Sequence, residues 1–146
     1  MSDLHFTVHG LPAAQGSKRH VGNGVMIESS KRVKPWRQDV VAAAIKAIED
    51  DHSFEMFTGP VEVTIDFFFA RPKSHAGTGR NAGILKNNAP TYVATRPDIE
   101  KLERSTHDAL TTAGVWQDDA LVVKHTGSKR YGLRPCAVIS VKAVEA

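Results

Sequence analysis

The chain has 146 residues, of which 41% are hydrophobic and 24% are charged, with a net charge of +3. These values are typical of one soluble domain with its own core, and no apolar run is long enough to span a bilayer. Cys136 is the only cysteine, which excludes an internal disulfide and predicts a reduced core thiol. The N-terminus lacks a signal-peptide pattern, so we expect a cytoplasmic protein without a membrane partner. The sequence pI of about 9.1 suggests an anionic partner.

The first fifth of the chain predicts short extended elements. Alternation over residues 4–9 predicts a strand. The stretch 15–20 combines a glycine with Lys18 and Arg19, which suits contact with phosphates, although a solvated loop is the alternative. Gly22-Asn23-Gly24 predicts the turn of a hairpin.

Apolar side chains at three- and four-residue spacing then predict a helix from Pro35 to about Glu49, with Trp36 in the core. Four cations cluster at its start and could hold backbone phosphates near the helix N-terminus. A solvated run of charges is the alternative. The four cations are Lys31, Arg32, Lys34 and Arg37.

The middle of the chain holds a clear strand and a long irregular segment. Alternation over residues 61–69 predicts a strand with one buried face. Residues 71–95 show no periodicity, and a loop of this length in a compact domain is usually functional or disordered. Its cations favour a mobile basic loop that closes on nucleic acid. These cations are Arg71, Lys73, Arg80 and Lys86.

The last third predicts a second helix and two strands. Apolar residues define one face of a helix that runs from about residue 99 to Gly114, whereas Glu100, Arg104 and Asp108 share its wet side. Strands are predicted from Leu121 and over residues 135–144. The predicted fold class is therefore α/β (α+β): a single compact domain, residues 1–146, with a mixed sheet and two main helices.

An acidic centre occupies residues 98–119, which hold six carboxylates and two cations, so this window sums to −4 and the remainder to +7. Carboxylates that hold Mg²⁺ beside cations that hold phosphates are the balance expected of a metal-dependent enzyme that acts on a polyanion. The alternatives are structural. Asp98 could cap the helix, Glu100 and Arg104 could form a surface ion pair, and Asp118-Asp119 could be a turn.

Three stretches together resemble the RusA family of Holliday junction resolvases, in its phage or prophage type. They are Arg-Pro-Asp-Ile-Glu-Lys-Leu at 96–102, His-Asp-Ala-Leu at 107–110 and Gly-Val-Trp-Gln-Asp-Asp-Ala-Leu-Val at 114–122. The family pattern is Pro-Asp-x-Asp-Asn, a lysine on the next helical turn, Asp-Ala-Leu, and Asp-Asp before a strand. The stretch 10–19 is similar to the N-terminal part of phage-type members.

The resemblance implies a set of site residues. Asp98, Glu100 and Asp119 match the three metal-binding aspartates, with Asp118 as a weaker candidate. Arg104 matches the lysine on the helix and completes the implied catalytic set. Glu at 100 adds a methylene of reach, and Arg at 104 keeps a cation but cannot transfer a proton. These departures leave room for reduced activity or a changed metal preference.

The resemblance also implies a function. Family members are homodimers that cut four-way DNA junctions with Mg²⁺, which Mn²⁺ can replace, in DNA recombination and repair. Such an enzyme would act in the cytoplasm of a bacterial cell, or of the host if the gene is of phage origin. We expect this chain to be a junction-resolving endonuclease. The alternatives are a non-catalytic nucleic-acid-binding protein of the same fold and a small Mg²⁺-dependent phosphohydrolase.

Overall fold

The structure, a computed structural model, describes residues 3–16, 18–20, 26–28 and 31–145. A four-stranded mixed sheet and two helices form a single compact domain, as the sequence predicts. The strands β2 and β3 pair antiparallel in a separate two-stranded sheet, and the predicted turn Gly22-Asn23-Gly24 lies outside the described residues. The strands are β1 (Leu4–His9), β2 (Lys18–His20), β3 (Met26–Glu28), β4 (Val61–Ala70), β5 (Val122–Gly132) and β6 (Cys136–Ala143), and the helices are α1 (Val33–Asp50) and α2 (Ile99–Ala113).

The sheet has the order β1-β6-β4-β5, in which β4 pairs with β5 in parallel and with β6 antiparallel. The central strand β4 buries every second residue from Val61 to Phe67, which is the alternation that the sequence shows. The parallel partner β5 is an edge strand. The register in which β5 pairs with β4 determines which β5 residues lie beside α2.

The two helices pack against each other and complete the core. The indole N–H of Trp36 on α1 donates to the hydroxyl of Thr106 on α2 over 3.1 Å, and both residues are fully buried. This pair satisfies two polar groups that would otherwise be costly to bury. It also fixes the rotation of α2 about its axis, and so the face that α2 exposes.

Two local expectations differ from the structure. Helix α1 begins at Val33, two residues before Pro35, which the first turn tolerates because its N–H groups have no partner within the helix. Cys136 is half-buried and is not a core thiol, because Ala137 and Ile139 on β6 take the buried face. Partial burial still raises the pKa of the Cys136 thiol.

The segment 71–95 has no long element but does have local structure. Two 3-10 turns occur at 73–75 and 79–81, and Ala76 bridges Leu85. The Arg71 guanidinium donates to the carbonyl of Pro90 over 2.7 Å. The segment therefore folds back on itself, while its predicted mobility and closure on DNA stay predictions.

Candidate active site

Asp98 immediately precedes helix α2, and its carboxylate is not used as a cap. The residue occupies the N-cap position with an extended backbone (φ −67°, ψ 137°), yet its side chain accepts no capping hydrogen bond. The side chain is 65% exposed, and the ammonium of Lys101 lies 3.7 Å from it. Two residues apart on a regular helix, the side chains at 98 and 100 would point in different directions, but an extended backbone at Asp98 allows both carboxylates to face one ion. The carboxylate of Asp98 is available to a ligand.

Lys129, on β5, fixes the backbone in front of Asp98. Its ammonium donates to the carbonyls of Thr95 and Pro97 over 2.8 and 2.9 Å, and its own carbonyl accepts from the N–H of Val93. A charged donor to two carbonyls that are two residues apart is a strong local restraint. No sequence signal indicated this role, because the partners are more than 30 positions away along the chain.

The exposed side of α2 carries Glu100 and Arg104, one helical turn apart. Both are exposed, and among the described residues no ion pair joins them. The predicted surface ion pair is therefore not formed. The carboxylate and the guanidinium remain available to partners outside the chain.

Residues 12–16, here called the strap, run along α2 and are tied to it by backbone and side-chain hydrogen bonds. The hydroxyl of Ser105 donates to the Ala13 carbonyl over 2.6 Å, and the N–H of Gln15 donates to the Lys101 carbonyl over 3.0 Å. The Gln15 amide also donates to the Asp108 carboxylate over 2.6 Å. The strap therefore holds the start of the basic stretch 15–20 beside the acidic helix.

Gly16 lies directly beside the Arg104 side chain. Its φ of +108° suits glycine, and a Cβ there would collide with the Arg104 guanidinium. A side chain at position 16 would displace Arg104. This is a physical reason for the glycine that the sequence pattern alone did not give.

Asp118 and Asp119 lie beyond α2, where the chain turns toward β5. Asp118 caps a 3-10 turn by accepting from the N–H of Ala120 over 2.8 Å, so the turn interpretation is correct for this residue. The pKa of Asp119 is raised, first by its hydrogen bond with Asp118, then by burial and by the charges of Asp118 and Asp108. Mutual repulsion of this kind is relieved when a cation binds.

The predicted metal-binding carboxylates come from the two ends of α2. Asp98 and Glu100 stand at its first turn, whereas Asp119 interacts with Asp108, and Asp108 lies about 15 Å from Asp98 at 1.5 Å per residue. Within the described part of the chain, no three His, Cys, Asp or Glu side chains lie close enough together to hold a metal ion. The joint metal site of Asp98, Glu100 and Asp119 therefore stays a prediction.

Comparison with known proteins places the chain in a family. The sequence model described as endodeoxyribonuclease RusA matches residues 9–142. The chain belongs to the RusA endodeoxyribonuclease family. It is also 30% identical, over an alignment that covers the whole of both chains, to the uncharacterized protein YqaN of Bacillus subtilis (strain 168). Family membership confirms the resemblance drawn from residues 96–122.

A buried acid that the RusA motif does not include also lies on α2. It stands beside the exposed side that carries Glu100 and Arg104, which is here called the exposed ridge. Glu103 has a side chain only 10% exposed, and its carboxylate lies 2.7 Å from Nδ1 of His125 on β5. Glycine at 127 leaves room for this carboxylate. Glu103 is one of the six carboxylates of the acidic centre, but its burial could not be predicted, because helical periodicity does not reveal which residues face the edge of a sheet.

His107 completes this buried flank of α2. Its ring packs edge-on against Trp116, with centroids 5.8 Å apart, and lies 6.2 Å from the ring of His125. Burial, helped by the charge of His125, lowers the pKa of His107 to about 4, while Asp108 opposes the shift. His107 is therefore neutral at physiological pH.

Most of the predicted DNA-binding cations of this RusA-family chain that the structure describes are exposed to solvent. Those at the start of α1 and in the segment 71–95 are exposed, apart from Arg37 and Arg71, which are half-buried. The side chains of Lys18 and Arg19 lie outside the described residues. No helix in the described parts of the chain could cross a membrane. The predicted cations are Lys18, Arg19, Lys31, Arg32, Lys34, Arg37, Arg71, Lys73, Arg80 and Lys86.

Proposed function

We propose that this protein is a structure-selective endonuclease that resolves four-way DNA junctions by Mg²⁺-dependent hydrolysis, in DNA recombination and repair in the cytoplasm. The observation that carries the proposal is the exposed start of α2. There the carboxylates of Asp98 and Glu100 and the cation of Arg104 make no cap and no ion pair with one another. Membership of the RusA family supports the same class of activity.

Asp98, Glu100 and Asp119 are the proposed ligands of the ion, with Asp118 as a weaker fourth. The donor chemistry fits, because Mg²⁺ prefers hard oxygen ligands, and Mn²⁺ accepts the same set. Among the described residues no three carboxylates form a ready-made group, and Asp118 and Asp108 are the acids that raise the pKa of Asp119. When bound, the ion would supply an activated water and offset charge on the phosphate.

Arg104 and the surrounding cations are proposed to bind phosphates. The guanidinium beside Gly16 offers a planar set of donors to phosphate oxygens, but it stays protonated and so takes no part in proton transfer. The cations of the α1 start and of the segment 71–95 would bind the backbone of the branched DNA without reading its sequence.

A homodimer is proposed because two opposed cuts in a symmetric junction call for two-fold symmetry. One chain has a mass of 15.9 kDa. Light scattering at micromolar concentration should give twice that mass, and the mass of one chain, with and without junction DNA, would contradict a dimer.

The test uses synthetic four-way junctions with and without Mg²⁺, and the variants Asp98→Asn and Asp119→Asn. Each variant keeps the shape of the side chain but removes its charge, so cleavage should be lost while junction binding stays equal or becomes tighter. Asp50→Asn is the matched control, because Asp50 is an exposed acid paired with Lys46 at the far end of α1. Cleavage by both variants at the parental rate would refute the metal-nuclease proposal.

A non-catalytic DNA-binding protein is the second candidate. It is favoured by the absence of a three-carboxylate group within the described residues. Junction binding without cleavage at any Mg²⁺ or Mn²⁺ concentration would support it. Turnover of nucleotides in place of junctions would instead indicate a small Mg²⁺-dependent phosphohydrolase, the third reading.

A further inference from the structure

We propose that the cleft between the strap, the start of α1 and the start of α2 binds one phosphate-bearing nucleotide of a single DNA strand. The inference rests on the proposed function and adds where a strand lies relative to Asp98. The cleft has a volume of about 470 Å³. It is lined by Pro12, Ala13, Ala14, Arg32, Arg96, Pro97, Asp98 and Lys101.

The charge of the cleft selects an anion. Three cations from separate elements, Arg32, Arg96 and Lys101, face one carboxylate, so the lining carries a net charge of +2. Among the described residues, no carboxylate forms an ion pair with Arg96. Guanidinium groups are the side chains best shaped to hold phosphate oxygens through paired hydrogen bonds.

The two helix starts strengthen this charge. Arg32 and Asp98 are the N-cap residues of α1 and α2, and neither side chain makes a capping hydrogen bond. Because both N-cap residues line the cleft, both helices begin there. The positive ends of the two helix dipoles add to the attraction that the cations exert on an anion.

The apolar walls suit the rest of a nucleotide. Pro12, Ala13, Ala14 and Pro97 present small rigid surfaces without donors, against which a sugar or base can pack. The strap wall is fixed by the bond from Ser105 to the Ala13 carbonyl, and the opposite wall by Lys129 on the Pro97 carbonyl. A preformed cleft loses little entropy on binding.

The size of the cleft favours a single strand over a duplex. A volume of 470 Å³ corresponds to a cube of about 8 Å on a side. A B-DNA duplex is wider than this, because its major groove alone is about 12 Å wide. One nucleotide can enter where the strands part at a branch point. Its phosphate would then lie beside Asp98, one of the proposed metal ligands.

The test measures binding of a labelled four-way junction and of a 5′-phosphorylated single-stranded oligonucleotide in EDTA, with the full chain. Arg32→Gln and Arg96→Gln should each weaken both complexes about tenfold and make the slope of log K against log[salt] less steep by about 1. Arg96→Lys should recover part of the loss. Lys46→Gln, which removes an exposed α1 cation remote from the cleft, is the control and should leave affinity and slope unchanged.

Two further arms separate the sources of phosphate. Chemical shifts of the strap and of residues 96–101 should move with a deoxynucleoside monophosphate more than with inorganic phosphate. An equal response would reduce the cleft to a general anion site and overturn the nucleotide proposal. Parental affinity and slope in both arginine variants, or a matching loss in Lys46→Gln, would overturn it as well.

Failure of this inference is distinguishable from failure of the proposed function. If the parent cuts junctions in Mg²⁺ while the arginine variants bind like the parent, the cleft proposal falls and the nuclease stands. If the parent never cuts but the arginine variants lose single-strand binding, the cleft stands and the nuclease falls.

Discussion

Helix α2 and the segment 71–95 both carry charged residues that we propose act on DNA, yet the two regions are built differently. The exposed ridge of α2 is fixed from two sides, by the hydrogen bonds of the strap and by Lys129. The segment 71–95 has mostly exposed residues and is attached to β5 by the bridge from Tyr92 to Arg130 and by the Arg71 guanidinium over the Tyr131 ring. A catalytic site requires side chains in fixed positions, whereas binding of the DNA backbone requires mainly positive charge.

The largest effect expected from this difference is on salt dependence. Replacing the four cations of the segment with glutamine removes up to four phosphate contacts, so the slope of log K against log[salt] should become less steep by about 3 to 4. Fluorescence anisotropy of a labelled junction measures this slope. The four replaced residues are Arg71, Lys73, Arg80 and Lys86.

The matched control for this prediction changes charge elsewhere. Lys46→Gln with Lys142→Gln removes two cations that are paired with surface acids. This control should leave the slope unchanged. A parental slope in the fourfold variant would mean that the segment does not contact DNA.

Lys129→Ala should break the geometry of α2 and leave DNA binding almost intact. Losing two charge-assisted bonds frees the backbone before Asp98, and a small misplacement of a catalytic group can lower the rate by about 100-fold. Single-turnover cleavage and junction affinity, measured together, separate rate from binding.

Two further variants sharpen this prediction. Lys129→Arg should recover part of the rate, and Lys124→Ala, an exposed cation on the same strand, should cleave like the parent. Equal losses of affinity and rate in Lys129→Ala would indicate a phosphate contact and not a positioning role.

The titration of His107 tests how much the buried side of α2 contributes to the free energy of unfolding. Its pKa is lowered to about 4, so its contribution to stability is complete above its ordinary value of 6.5 and is lost as pH falls through 4. The shift corresponds to about 3 kcal/mol as an upper limit. His107→Phe keeps an aromatic ring beside Trp116 but does not titrate.

Denaturant unfolding at pH 7 and pH 4 provides the measurement. The parent should lose more stability than His107→Phe between these values. The titratable groups that face His107 are His125, with its partner Glu103, and Asp108, and they remain in both proteins. Equal losses would show that His107 is not the group responsible.

Glu100→Asp should have the smallest effect. It restores the residue usual in the family, so cleavage should stay within a few-fold of the parent or rise. Metal titrations of the cleavage rate should give a half-saturation no higher than that of the parent. A large loss of activity would mean that the site in this chain is adapted to the longer side chain.

The order of the elements could be predicted from the sequence because each depends on local pattern. Alternation over residues 61–69 and helical spacing over 99–113 gave β4 and α2 almost to the residue. Gly114 ends α2 in the left-handed conformation, with φ +82°, as a glycine at that position suggests. The family motifs in residues 96–122 identified Asp98, Glu100 and Asp119 as candidate metal ligands.

Only the tertiary structure decided which of these residues meet. Contacts between positions far apart in sequence, such as Lys129 with Pro97, Gln15 with Asp108 and Glu103 with His125, depend on the register of β5 and the rotation of α2. The same packing makes Asp118 and Asp108 the charged neighbours that raise the pKa of Asp119, and it opens a cationic cleft beside Asp98. A one-dimensional pattern fixes the face on which a residue lies, but long-range packing fixes its neighbours.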